Sequence, residues 1–186
     1  MPLTVKETEL PGVFMIESGL HSDLRGFYKD LYRLDEYVSS GLDMTFVQDN
    51  HLHSVKNVLR GLYYQLKEPL GKLVMAVNGE IYDVAVDIRT GSPNFGKWTG
   101  VYLSPYNNRQ LYIPEGFAHG FCVLSDSADV IYKCTRYYES GHDYGILWSD
   151  PDLDIDWPVK NPILSERDSI SPRLADILPA DLPVYP

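Results

Sequence analysis

The chain is broken into short β-type runs at intervals of roughly 10 to 12 residues, each closed by a turn signal. Lys72-Leu73-Val74-Met75-Ala76-Val77 stops at Asn78-Gly79, the dipeptide that favours a two-residue hairpin. Ile81 to Asp87 follows at once. Along it Ile81, Asp83, Ala85 and Asp87 face one way, and Tyr82, Val84 and Val86 the other. Thr45–Gln48, Trp98–Leu103, Arg109–Ile113, Gly120–Leu124 and Val130–Tyr137 continue the pattern. Fourteen tyrosines suit strands better than helices. Such spacing points to an antiparallel sandwich or barrel. Helical signals are few. Leu34 to Val38 can make a turn or two before Gly41, and Ser171 to Ile177 suits a short capped helix with Pro172 at its first position. Beyond Pro162 the proline-rich tail is expected to wrap over the body.

At 186 residues the chain is expected to form one domain, 1–186. Its net charge of −10 argues against general binding to nucleic acid or anionic membranes. A local basic pocket for one phosphorylated ligand remains compatible with that charge. Cys122 and Cys134 do not make a disulfide framework. No targeting signal opens the chain, and its apolar runs are too short to span a bilayer, so a cytoplasmic protein is expected.

Candidate chemistry begins with cations set among apolar residues: Arg25 before Gly26, Arg60 before Gly61, and Lys72 at the head of a strand. A buried cation needs an anionic partner. That partner is either a structural carboxylate or an anionic ligand, and the guanidinium fork suits phosphate oxygens. The glycines let backbone approach a ligand closely. His119 lies between aromatic and glycine residues, either as a satisfied core histidine or as part of a site. His51 and His53 have the alternate spacing of two ligands on one strand face. A metal needs a third ligand, none is evident nearby, and both are read as loop histidines with no metal expected. Asp150 to Trp157 is acid-rich but lacks the central Gly and terminal Glu of a calcium loop, and is read as an exposed, turn-rich connection. No nucleophile elbow and no Gly-rich phosphate loop is present, which counts against hydrolases and NAD enzymes.

The segments Asp23–Phe27, Phe46–Asn50, Val58–Leu62, Gly71–Val74, Gly79–Arg89, Ile113–Phe121, Ile131–Cys134 and Leu164–Asp168 together resemble the dTDP-4-dehydrorhamnose 3,5-epimerase family. The likeness runs from about Leu10 to Leu178. It implies a cupin-like jelly roll or β-sandwich with short peripheral helices, a homodimer, and no metal or other cofactor. It also implies a nucleotide-linked 4-keto-6-deoxyhexose as substrate, carried by dTDP or another nucleoside diphosphate. In such a sugar the 4-keto group acidifies the C3 and C5 hydrogens. The chemistry needs a base, an oxyanion stabiliser and an acid. By position, Lys72 matches the stabiliser, Tyr132 the acid, and Asp168 the carboxylate that orients the catalytic His. Arg25, Gln48, Asn50, Arg60 and His119 match substrate-pocket positions, with the arginines toward the diphosphate. Tyr138 matches an aromatic that stacks on the nucleobase.

The departure from the family pattern is at the base. Where the family reads Leu-His-x-Gln after Arg-Gly, this chain reads Leu62-Tyr63-Tyr64-Gln65, and Leu52 stands where Ser is common. Tyrosine titrates near 10 against about 6.5 for histidine, and a carboxylate opposite it disfavours the phenolate further. Three outcomes follow from the sequence: an epimerase that acts slowly, or at one carbon, with Tyr63 or another residue as base, an enzyme for a different 4-keto sugar nucleotide, or a binding protein that has lost epimerisation.

Overall fold

Two antiparallel sheets face each other, and the functional residues lie where they part. The computed structural model describes residues 3–186. In chain order the strands are β1 (Thr4–Glu7), β2 (Phe14–Glu17), β3 (His21–Asp23), β4 (Gly26–Tyr28), β5 (Gln48–Val55), β6 (Leu59–Gln65) and β7 (Lys72–Asn78). They continue as β8 (Ile81–Asp87), β9 (Trp98–Leu103), β10 (Arg109–Ile113), β11 (Phe117–Val123), β12 (Ser127–Cys134) and β13 (Asp143–Gly145). Helix α1 is Leu34–Ser39 and α2 is Glu166–Ser169. One sheet has the order β1-β2-β10-β7-β12-β5 and the other β13-β6-β11-β8-β9, while β3 and β4 form a separate hairpin. This is the expected β-sandwich with short peripheral helices.

Three apolar layers hold it. Between the sheets pack Val74, Ala76, Ile81, Ala85, Leu103, Leu111, Phe121, Val123 and Val130. Outside the six-stranded sheet, Tyr37 of α1 with Leu42 and Met44 covers Leu73 and Met75. Outside the five-stranded sheet, Ile146, Leu153, Trp157, Val159, Leu174 and Leu182 cover Val84, Val86, Ala118 and Cys122. The alternation read along β8 is present, with Ile81 and Ala85 inward and Tyr82, Val84 and Val86 outward. Both faces are covered, so every residue of β8 and of β11 is buried.

Several local expectations are corrected. The strand expected over Thr45–Gln48 begins only at Gln48 and runs to Val55. His51 and His53 therefore lie in β5, not in a loop, and both hydrogen-bond Asp129 Oδ1 across the sheet at 3.0 Å. The polar alternation of Gln48 to His53 hides this strand, because no apolar run marks it. The helix expected from Ser171 is a three-residue 3-10 turn over Leu174–Asp176. Asp150, not Ser171, holds its start by accepting the Leu174 N–H at 2.7 Å. The acid-rich connection is only partly exposed, since Asp150, Leu153 and Trp157 are buried. Gly61 serves strand packing and not ligand approach. A Cβ there would meet Gly120 Cα at 2.6 Å and the His119 carbonyl at 2.7 Å. Both cysteines are free and buried.

Candidate active site

A cavity of about 400 Å³ opens at one end of the sandwich. The six-stranded sheet contributes Gln48 and Asn50 from β5, Lys72 from β7, and Tyr132 and Cys134 from β12. The five-stranded sheet contributes Tyr63, Tyr64 and Gln65 from β6. Tyr138, Asp143 and Arg167 close the rim. Cross-strand pairing explains the grouping: Tyr132 lies opposite Asn50 on one side and Val74 on the other, and Cys134 opposite Gln48 and Lys72. Residues two apart on a strand share a face, so β5 and β12 each send alternate side chains into the cavity. A larger concavity of about 760 Å³ is lined only by residues 20–28, most of them in the exposed β3–β4 hairpin. None of the residues that line the smaller cavity lines it.

The cavity wall carries an ordered polar chain. The Tyr138 N–H donates to Gln48 Oε1 at 3.0 Å, Gln48 Nε2 to Asn50 Oδ1 at 3.0 Å, and Asn50 Nδ2 to Cys134 Sγ at 3.5 Å. Behind Lys72 lies His119, a buried residue that does not itself line the cavity. Its Nε2–H donates to Asp83 Oδ1 at 2.8 Å, which leaves Nδ1 to accept from Lys72 Nζ at 3.5 Å. Burial pulls the Lys72 ammonium below the usual lysine range, opposed by Cys134 and the carboxylates of Asp83 and Asp143. Burial likewise pulls the His119 imidazole below its usual value, against the charge of Asp83 and with that of Lys72. A neutral imidazole in this tautomer orients the lysine head without competing with its charge.

Two phenols stand on opposite walls. Tyr132 is pushed up to about 12 by burial first and then by Cys134 and Tyr138, with Arg60 opposing. Its ring centre lies 5.8 Å from Lys72 Nζ. Tyr63 is also pushed up to about 12, by burial first and then by its hydrogen bond to Asp168 and that residue's charge. The Tyr63 hydroxyl donates to Asp168 Oδ1. Asp168 is buried in α2, where its Oδ2 accepts from Ser165 Oγ at 2.8 Å and its N–H donates back to that oxygen at 3.1 Å. The Arg167 guanidinium lies 5.0 Å from the Tyr63 ring centre and pairs with the Asp143 carboxylate. Both phenols are thus held as neutral donors near neutral pH.

Lys72, Tyr132, Tyr63, Gln48, Asn50 and Tyr138 are brought to one cavity, with Asp168 and His119 behind its walls. Arg60 is outside the lining; its Nε donates to Ser54 Oγ at 3.0 Å. Among the described residues, neither Arg60 nor Lys72 has a carboxylate within ion-pair distance, although the chain has 26 acids. Arg25 departs from the embedded position read in the sequence. It lies at the β3–β4 turn with its side chain 90% exposed, paired with Asp23, and does not line the cavity. Sequence reasoning missed Arg167, Asp143, Cys134 and Asp83. Asp83 had a signal: it is a charged residue on the inward face of an apolar strand.

A family model described as dTDP-4-dehydrorhamnose 3,5-epimerase matches residues 7–176. The dTDP-4-dehydrorhamnose 3,5-epimerase of Shigella flexneri is 51% identical over 177 residues, covering 94% of this chain and 97% of that protein. Among solved structures, the Legionella pneumophila dTDP-6-deoxy-D-glucose-3,5-epimerase in complex with dTDP-4-keto-L-rhamnose is 45% identical. It covers 99% of both chains with a TM-score of 0.95. ChmJ, a 3'-monoepimerase from Streptomyces bikiniensis in complex with dTDP-quinovose, is 33% identical over 96% of this chain and 92% of its own, with a TM-score of 0.87. The chain therefore belongs to the dTDP-4-dehydrorhamnose 3,5-epimerase family.

Proposed function

We propose that this chain is a sugar-nucleotide epimerase that enolises a dTDP-linked 4-keto-6-deoxyhexose and returns the proton from the opposite face. The observation that carries this reading is the cavity itself. It sets Lys72 and Tyr132 from one sheet against Tyr63, backed by Asp168, from the other. Removing a proton beside a ketone puts negative charge on the carbonyl oxygen, and a nearby ammonium stabilises it most where water is excluded. Lys72 fills that role, aimed by His119 and Asp83. Tyr132 keeps its proton near neutral pH and gives it to the carbanionic carbon from its own wall. Gln48 and Asn50 hold the sugar hydroxyls, and half-exposed Tyr138 stacks on the nucleobase at the rim. Arg60, free of a carboxylate partner, supplies charge for the diphosphate.

Arg25 belongs to the same reading only in a dimer. Its hairpin exposes Leu24, Phe27 and Tyr28, an apolar surface suited to covering by a second copy. In that homodimer Arg25 reaches the diphosphate held by the partner. No helix among the described residues is long and apolar enough to cross a membrane. The cytoplasm, where sugar nucleotides are made, fits the reading.

The test is proton exchange. Purified protein is incubated with dTDP-4-keto-6-deoxyglucose in deuterated water, and the C3 and C5 signals are followed by NMR. Deuterium at both carbons is the expected result; deuterium at one would make the chain a single-carbon epimerase. Saturable binding with no exchange at either would overturn the reading and leave a binding protein.

A further inference from the structure

Asp168 has no surface in the cavity. Its link to the substrate space runs through Tyr63, which lines the cavity and whose hydroxyl donates to Asp168 Oδ1. The carboxylate is buried and fixed by Ser165, and among the described residues no cation pairs with it, because the adjacent Arg167 is committed to Asp143. Arg167 instead holds its guanidinium over the Tyr63 ring, where it offsets charge that builds on the phenol oxygen.

We infer that Tyr63 and Asp168 act as one proton acceptor, with the phenol as a relay and the carboxylate as the terminus. The inference rests on the epimerase reading above and supplies the base which that reading lacks. In the step, the C–H bond beside the ketone breaks and its proton bonds to Tyr63 Oη. In the same motion the Tyr63 O–H bond breaks and that proton bonds to Asp168 Oδ1. The C–H electron pair becomes the enolate double bond, and the carbonyl pair moves to the oxygen facing Lys72. Tyr132 then protonates the carbon from the other wall as the enolate electrons return to it. Asp168 afterwards releases its proton to solvent back through Tyr63, and Tyr132 regains one. No free phenolate is needed on Tyr63 at any point.

Two measurements test the relay. In Tyr63→Phe the ring stays under Arg167 while the relay atom is lost. The rate of C–H exchange should fall by roughly 10²- to 10⁴-fold, with dTDP binding retained. The second needs no variant. Because the Tyr63 proton exchanges with solvent and moves as the C–H bond breaks, that step in the wild-type protein should slow in deuterated water. It should slow again, multiplicatively, when the substrate carbon carries deuterium. Exchange in Tyr63→Phe at the wild-type rate, or a C–H cleavage step with no solvent isotope effect, would overturn the relay and leave the epimerase reading standing. A wild-type protein that exchanges neither carbon would instead sink both.

Discussion

Alkaline pH separates the relay from a simpler alternative, in which Tyr63 ionises and acts as a phenolate base. Burial and Asp168 push Tyr63 up to about 12. At pH 7 that is five pH units below the titration, so about one molecule in 10⁵ carries the phenolate, an ~7 kcal/mol handicap at 1.36 kcal/mol per unit. At pH 10 the fraction rises to about one in 10², a thousand-fold gain. A phenolate base would therefore make C–H exchange climb tenfold per pH unit across this interval. A relay ending on a carboxylate gains nothing from it. The groups that face Tyr63 are Asp168, Ser165 and Arg167 on and before α2, Asp143 and Tyr138 at the rim, and Lys72 and Tyr132 across the cavity. Of these, Lys72 has a titration drawn downward by burial, and loss of its ammonium lowers the rate. The expected profile is level and then falling. The assay is the initial rate of substrate C–H loss by NMR from pH 7 to 10, with the protein-free rate subtracted. A logarithmic slope of one would refute the relay.

Two further perturbations address what holds the site and what completes it. Asp87 is fully buried and accepts from the Arg89 backbone N–H at 3.0 Å, Arg89 Nε at 2.9 Å and Nη2 at 2.7 Å, and Ser92 Oγ at 2.7 Å. Asp87→Asn leaves a largely buried guanidinium between the Phe117 and Tyr185 rings and should cost about 3 kcal/mol, or roughly 6–12 °C in melting temperature. Burial raises the Asp87 carboxyl but the Arg89 and Ser92 bonds outweigh it, so its folded value lies below the unfolded one. The stability it adds is present above the unfolded carboxylate value of about 4 and is lost as pH falls through the folded value, so the gap between wild type and variant should close in acid. Arg25→Ala should leave the monomer's melting behaviour unchanged, because the side chain is 90% exposed and, among the described residues, its polar contacts are to Asp23. It should weaken dTDP binding by about tenfold or more, as loss of a charge-assisted bond implies. Light scattering that finds only monomers, or titration calorimetry with unchanged affinity, would remove Arg25 from the site.

The strands that carry the core were legible because their apolar residues repeat with the right period: β8, β9 and β10 run over the stretches read from the sequence. β5 was not, although it supplies Gln48 and Asn50. One face of it lines a polar cavity and the other meets solvent, and its two apolar residues, Leu52 and Val55, make no run or alternation that would mark a strand. The exposure of Arg25 was misread for a related reason: Leu24 and Phe27 beside it look like core residues but project from a free hairpin. Gly61 showed the opposite error. Its need was set by Gly120 and His119 on β11, neighbours in space that no local pattern reveals. The site residues came from the resemblance, residue by residue, including Asp168 as the carboxylate opposite Tyr63, whereas Ser165 on that carboxylate and Arg167 over the Tyr63 ring needed the structure to name. Nothing in the spacing of Tyr63 and Asp168, separated by more than a hundred positions, says that one stands between the other and the cavity.

The central claim is that the two sheets serve opposite faces of the substrate, and Tyr132→Phe tests it most directly. With dTDP-4-keto-6-deoxyglucose in deuterated water, the wild-type protein should both exchange and invert the reacting carbon. The variant keeps Lys72, Tyr63 and Asp168, so it should still exchange deuterium into the substrate while inversion falls far behind. Equal loss of exchange and inversion, or inversion that survives at the wild-type rate, would contradict the assignment of the two walls.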